Sequence, residues 1–340
     1  MTRSPYIVGR AYDHVFFILS PLFALGVGAA AMASGAYGLR LYSRSAAGTL
    51  MQIALPTLLS SAFTHAHLVI VFFRSHVNRE IFRRHPFRFV TVPIVLLAAA
   101  LLSQWAFVAL SVLVVWWDVY HSSLQTFGLG RLYDQRAGND VTIGRRADYL
   151  LNLVLYIGPV LAGVNLAEHL KSFEQFERVD AAFLASFGRV VLSYQNPLRV
   201  AVLVLGGLSL AAYLAYCARL ARSGYRFPRP KLLLYLATAL CSILAWGFGS
   251  FGDAFLVMNF FHAWQYFALV WWSEKARIAA FFRSGPQVAF ALFLLVAFTY
   301  GYWRASRPAD IVLFLAVANV VSILHFWYDG FIWSVRRGDV

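Results

Sequence analysis

Residues 313–333 read LFLAVANVVSILHFWYDGFIW. The run is long and apolar enough to cross a hydrocarbon layer about 30 Å thick as a helix. It also holds His325 and Asp329, four residues apart, which a helix places on one face roughly 6 Å apart along its axis. Ionisable groups at that depth cost free energy and persist where they face a bundle interior with partners. The pair therefore marks a functional-site hypothesis and predicts an all-α, polytopic membrane fold.

Working outward, the whole chain carries the same signature. Of its 340 residues 60% are hydrophobic and only 13% charged, with mean hydropathy +0.65, against roughly a quarter charged in soluble domains. Lys and Arg number 29 against 15 acidic residues. They lie in short segments between apolar runs, a pattern of membrane orientation and not of a nucleic-acid partner. Cys217 and Cys241 each sit in an apolar segment without a CxxC partner, so no disulfide framework or zinc ribbon is expected. Ala31-Met32-Ala33 resembles a cleavage site, but the apolar run continues past it to Leu39, and a spanning helix is the preferred reading.

Ten spans are predicted within a single domain 1–340, at about 15–38, 49–73, 88–103, 105–127, 148–170, 199–220, 231–249, 253–272, 285–303 and 310–333. The tight break at Ser103-Gln104 separates the third from the fourth. Residues 171–198, including FEQFERVDAAFLASFGRVV, read as an interfacial amphipathic helix on the outer side. With the N-terminus inside, 21 of the 29 Lys and Arg fall in inner segments and 8 in outer ones. This predicts that both termini are cytoplasmic, and a bacterial inner membrane is the expected location.

On that map the histidines form a layer. His65 and His67 lie in the second span, His121 in the fourth, His262 in the eighth and His325 in the tenth. All four spans run from outside to inside, which places the imidazoles roughly 10 to 18 Å from the inner boundary. His14 would cap the layer at the inner mouth of the first span. A lone buried histidine is ordinarily a packed, hydrogen-bonded residue. Four helices converging on one depth with carboxylates alongside favour a metal or cofactor site.

The local motifs supply the rest of the set. In WWDVYHSSLQTFGLGRLYD, Asp118, His121 and Gln125 share a face; imidazole and carboxylate together suit iron, although Asp118 could equally orient the histidine. In NFFHAWQYFALVWW, Asn259, His262, Gln265 and Tyr266 form another polar stripe. The amides are read as supports for the ligands or as helix-to-helix hydrogen bonds. His65 and His67, in SSAFTHAHLVIVFFRSHVNRE, stand about 200° apart around a helix, so only one can face the site. His76 and His85 belong to a basic loop suited to anionic headgroups, and His169 lies away from the layer. No third glycine follows Gly128 and Gly130, so no dinucleotide motif is formed; Walker, nucleophile-elbow and HExxH motifs are absent.

The His-x-x-x-Asp spacing of HFWYDGFIW at the end of the last helix resembles the closing motif of the Brp/Blh family of bacterial membrane carotene-cleaving dioxygenases. It covers about a tenth of the chain. In style, the histidine layer also resembles the histidine-box membrane di-iron enzymes such as alkane hydroxylases and fatty acid desaturases. WWDVYHSSLQ departs in placing the acid before the histidine, and HxxHH boxes are missing. The resemblance implies iron, dioxygen and a lipid-like substrate.

The expectation is therefore a membrane oxidoreductase with a non-haem iron centre, two irons being the favoured count. Its ligands would come from His65, His67, His121, His262, His325, Asp118 and Asp329, with His14, Asn259, Gln125, Gln265 and Tyr266 in support. An apolar substrate would arrive through the bilayer, and an electron donor would dock on the Arg-rich cytoplasmic loops. Two rivals remain: haem b held by two of the histidines, and a proton-coupled transporter.

Overall fold

The computed structural model describes residues 4–33, 40–44, 50–306 and 312–335. Among them the chain is helical apart from one antiparallel ribbon. In order the elements are α1 (Arg10–Asp13), a π-helical turn (His14–Ile18), α2 (Ser20–Ala33), β1 (Arg40–Arg44), β2 (Leu50–Ala54), α3 (Leu55–Val69), α4 (Val71–Ser75), α5 (Arg79–Arg84) and α6 (Pro86–Leu102). There follow α7 (Gln104–Arg136), α8 (Arg145–Ala162), α9 (Leu166–Lys171), a 3-10 helix (Ser172–Val179) and α10 (Ala182–Ser193). The chain then continues as α11 (Gln195–Arg222), α12 (Arg229–Phe248), α13 (Phe251–Phe282), α14 (Pro286–Ala305) and α15 (Val312–Ile332). Arg40 pairs with Ala54 and Arg44 with Leu50 in the ribbon.

Among the described residues five helices, α7, α11, α12, α14 and α15, are long and apolar enough to cross a membrane. The number becomes seven if two bent pairs each count once: Arg10–Ile18 with Ser20–Ala33, bent by 52°, and Arg145–Ala162 with Leu166–Val179, bent by 88°. The other three expected spans differ for separate reasons. At 49–73 the chain begins as strand β2 and then forms α3 and α4; at 88–103, α6 is only 17 residues long. At 253–272, α13 extends to 32 residues, and polar side chains such as Asn259, His262 and Gln265 lower its hydropathy.

The bend after α8 replaces the straight span expected at 148–170. Gly163 is extended there, and a Cβ would collide with the carbonyls of Pro159 and Trp246. Asn165 then donates to the carbonyl oxygens of Trp246 at 2.9 Å and Gly249 at 3.0 Å, satisfying groups that the end of α12 leaves open. In place of one helix at 171–198 the chain forms the 3-10 helix Ser172–Val179 and α10, divided where Asp180 adopts φ 55°, and residues 195–198 already belong to α11.

By contacts the chain separates into two compact units. One comprises Met1–Leu25, Val115–Met258 and Trp333–Val340, and the other Gly26–Val114 and Asn259–Ile332. In the second unit α3 packs tightly on α14, because Gly301 leaves no room for a Cβ against the Ala62 carbonyl. Stacked rings fill the space around them: Phe63 lies 5.0 Å from Phe260, and Phe267 lies 5.7 Å from Phe298. In the first unit α8 and α12 lie side by side, and Tyr235 of α12 fits against Gly130 of α7.

Candidate metal centre

Three imidazoles meet in the second unit. His67 of α3, His262 of α13 and His325 of α15 are each fully buried. Ring centroids are 5.0 Å apart for His67 and His262, 4.9 Å for His67 and His325, and 6.5 Å for His262 and His325. One nitrogen from each ring lies within 4.8 Å of the others. Imidazole nitrogens that share one zinc-sized ion, each at about 2.0–2.1 Å from it, stand only a few ångströms apart, so three nitrogens grouped this closely could hold one.

A carboxylate and a phenol complete the cluster. Asp329 Oδ2 lies 3.8 Å from His325 Nε2, and the Tyr266 hydroxyl donates to Asp329 Oδ1 at 2.7 Å. The Tyr266 ring packs 4.7 Å from that of His325. The phenol thus fixes one carboxylate oxygen and leaves the other facing the imidazole, an arrangement that orients a ligand or supplies one. Asn259 and Gln265, flanking His262 on α13, are buried in the same unit.

The neighbouring histidines differ sharply. His65 directs Nδ1 to the Ser61 carbonyl at 2.7 Å, one turn back on its own helix. The His67 ring has at most a loose hydrogen bond, to the Thr64 backbone. A buried imidazole so weakly bonded pays a desolvation cost that an ion or polar ligand would offset. The structure therefore brings His67 to the cluster and turns His65 to the backbone, as the 200° offset requires.

Asp118, His121 and Gln125 lie on α7 in the first unit, where His121 is buried and the other two are half-buried. His14 is in that unit too, with Nδ1 2.7 Å from the Arg10 carbonyl. His169 occupies a box of aromatic rings, 5.6 Å from Trp116, 5.0 Å from Trp246 and 5.1 Å from Phe251.

Seven to twelve residues beyond the three clustered histidines, α4, α13 and α15 are tied by buried charge. Arg74 pairs with Glu274 and donates through Nη2 to the Ile332 carbonyl at 3.2 Å. Asn78 donates to both Glu274 oxygens at 3.4 and 3.3 Å, and Arg277 donates to Oε2 at 3.0 Å. Arg74 and Glu274 appear in the sequence as ordinary boundary charges. Nothing in their local sequence signals that they pair; that becomes visible only once the helices are adjacent.

No family model, curated protein or solved structure matches this chain.

Proposed function

We propose that the protein is a polytopic membrane oxidoreductase whose non-haem iron centre includes His67, His262 and His325, acting on an apolar, membrane-dissolved substrate. The observation that carries this reading is the convergence of three fully buried imidazoles with ligand nitrogens within 4.8 Å. Three imidazoles alone suit zinc, copper or iron; Asp329 beside them favours iron. The His67 ring stands beside the line joining His262 and His325, where a macrocycle between those two would have to lie. This favours non-haem iron over haem b. His121 and Asp118 are proposed as ligands of a second ion, and His65, Gln125 and His14 as supports.

When bound and reduced, iron supplies the chemistry that joins dioxygen to an unactivated C–H or C=C bond. The chain's own residues hold the site. Tyr266 holds a proton at Asp329 Oδ1, so Oδ2 keeps its negative charge towards His325. Buried Phe261 and Phe326 exclude water from the two ligand helices. The ten-span reading with cytoplasmic termini belongs to this proposal, as does a bacterial inner-membrane location with an acidic electron donor on the Arg-rich loops.

Elemental analysis and an optical spectrum of purified full-length protein test the reading. About one or two irons per chain without a Soret band is the expected result. A Soret band would replace it with an electron carrier, zinc or copper alone would remove iron from the centre, and no metal would leave a proton-relay transporter.

A further inference from the structure

The chain from α5 into α6 carries a basic surface that the metal centre does not use. Residues 79–88 read REIFRRHPFR, four arginines against one glutamate. Arg79, Arg83, Arg84 and Arg88 are all exposed, and Arg84 pairs with Glu80 one turn earlier. Four cations less one acid leave a formal excess of three positive charges on ten residues. Among the described residues no acid pairs with Arg79, Arg83 or Arg88.

An aromatic floor fixes the corner on which these charges stand. The rings of Phe82 and Phe89 stack 5.9 Å apart, holding α5 against the start of α6, and Phe89 meets Tyr328 of α15 edge-on at 4.8 Å. The Tyr328 hydroxyl donates to the Arg88 carbonyl at 3.2 Å. The Arg88 guanidinium lies over two rings of α15, 4.7 Å from the centroid of Phe331 and 5.7 Å from that of Trp327. His85 meets Phe331 edge-on at 4.8 Å. A guanidinium already held over aromatic faces loses less freedom when it meets an anion than a freely rotating one does.

The helix that this corner opens decides between the anions that could lie against it. Phe87, Val90 and Ile94 of α6 recur at helical spacing and are 67%, 48% and 64% exposed. Basic side chains thus give way to an outward apolar face within one turn, the same succession as headgroup and acyl layers in a bilayer. A soluble acidic protein would match the charge but would leave Phe87 and the apolar face continuous with it uncovered. A phospholipid with an anionic headgroup matches both.

We infer that an anionic phospholipid binds the 79–88 corner and, through Arg88, clamps the end of α15. Its phosphate accepts hydrogen bonds from the Arg88 guanidinium, Arg79 and Arg83 add to the attracting field, and its acyl chains lie along the exposed face of α6. The clamp reaches α15 because Arg88 both receives Tyr328 on its carbonyl and covers Phe331 with its side chain. Tyr328 is adjacent to Asp329 and three residues beyond His325. The inference rests on the polytopic membrane reading and not on the presence or identity of a metal.

Full-length protein in a neutral detergent tests it, titrated with dioleoyl phosphatidylglycerol, dioleoyl phosphatidylcholine or inorganic phosphate at matched ionic strength. Thermal midpoint and amide exchange over 325–332 are followed together. Phosphatidylglycerol should raise the midpoint saturably, at a concentration about tenfold or more below that of phosphatidylcholine, and slow the exchange. Phosphate should do neither. Each arginine near an anionic surface is worth roughly a fivefold gain, so Arg83→Gln/Arg88→Gln should weaken the lipid by about tenfold or more. Arg219→Gln/Arg222→Gln, at the end of α11, should not, and His67→Ala should leave the lipid response intact, separating this surface from the metal centre. Equal responses to the two lipids, or equal loss in both arginine variants, would overturn the site. A lipid response without slower exchange over 325–332 would overturn the clamp. A polyglutamate peptide that raises the midpoint where phosphatidylglycerol does no better than phosphatidylcholine would make the surface a dock for an acidic protein and overturn the lipid assignment. Protein that stays dispersed without detergent would remove the membrane reading itself, a result distinct from a detergent-dependent protein indifferent to headgroup charge.

Discussion

Two histidines separated by one alanine have opposite fates because each imidazole must place two nitrogens. His65 finds the Ser61 carbonyl on its own helix, whereas His67 faces two other imidazoles and an acid-bearing helix. His67→Ala should therefore abolish metal binding and His65→Ala should retain most of it, both read by metal content after purification. Equal loss in the two variants would contradict the assignment of His67. Asp329→Asn should weaken metal affinity by ~10–100-fold if the carboxylate only orients His325, and abolish binding if it is itself a ligand. A third histidine gives a pH signature outside the spans. Burial holds His76 below the ordinary histidine range, against the opposing effect of its bond to the Phe89 carbonyl. The folded state thus binds fewer protons at this residue than the unfolded state does. The associated stability is complete above about pH 6.5 and is lost as pH falls below it. Thermal melts between pH 8 and 5 should show this loss, and His76→Gln should flatten the slope.

At the scale of elements, α13 and α15, which supply two of the imidazoles, are tied by one buried acid to α4, the short helix that follows α3. Glu274 receives Arg74, Asn78 and Arg277, and Arg74 also closes the end of α15 through the Ile332 carbonyl. Glu274→Ala would leave Arg74 buried without its counter-charge, a change that typically costs about 3–5 kcal/mol. A fall in thermal midpoint accompanied by weaker metal binding is expected. Double substitution of Arg74 and Glu274 by Met and Leu should recover much of the stability, since no unpaired charge remains. If the single variant melts like the parent, the tie does not hold the helices. The period of apolar residues made the helices legible in the sequence, and the break at Ser103 was readable too. The bend at Gly163 was not, because it depends on how closely α12 approaches. Nor was the first unit's buried tetrad of Arg131, Asp134, Asp148 and Lys231: the two cations have the composition of loop charges, and only adjacency to the two acids makes them interior. The sequence put His65, His67 and Tyr266 with His325 and Asp329 in one candidate set, but could not say which of the two histidines meets His325 or that Tyr266 bonds Asp329.

At the scale of the whole molecule, helix length constrains how many of these helices cross the membrane. Among the described residues seven elements are long and apolar enough to cross, counting the two bent pairs once each. The three that do not pass are each of a size that bears on crossing. From the start of α3 to the end of α4 the chain covers residues 55–75, about 31 Å at 1.5 Å per residue, enough for a core of about 30 Å. α6, with 17 residues, gives about 25 Å, at the short end of what a bilayer accommodates by thinning. α13, with 32 residues, gives about 48 Å and fails on polarity alone; its Asn259, His262 and Gln265 are buried within the protein, so they need not meet lipid. A helix whose polar face is buried within the protein can cross a bilayer despite a low mean hydropathy. The three helices stand or fall by a parity argument. If all ten cross, the N- and C-termini lie on the same side; if only the seven do, they lie on opposite sides. The distribution of 21 inner against 8 outer Lys and Arg follows from ten spans with both termini inside. Reporter fusions at the two termini should therefore both report cytoplasm, while a fusion within residues 171–198 should report the opposite side. Termini on opposite sides would reduce the number of crossings to an odd value, and at least one of α3–α4, α6 and α13 would then have to be re-entrant or interfacial.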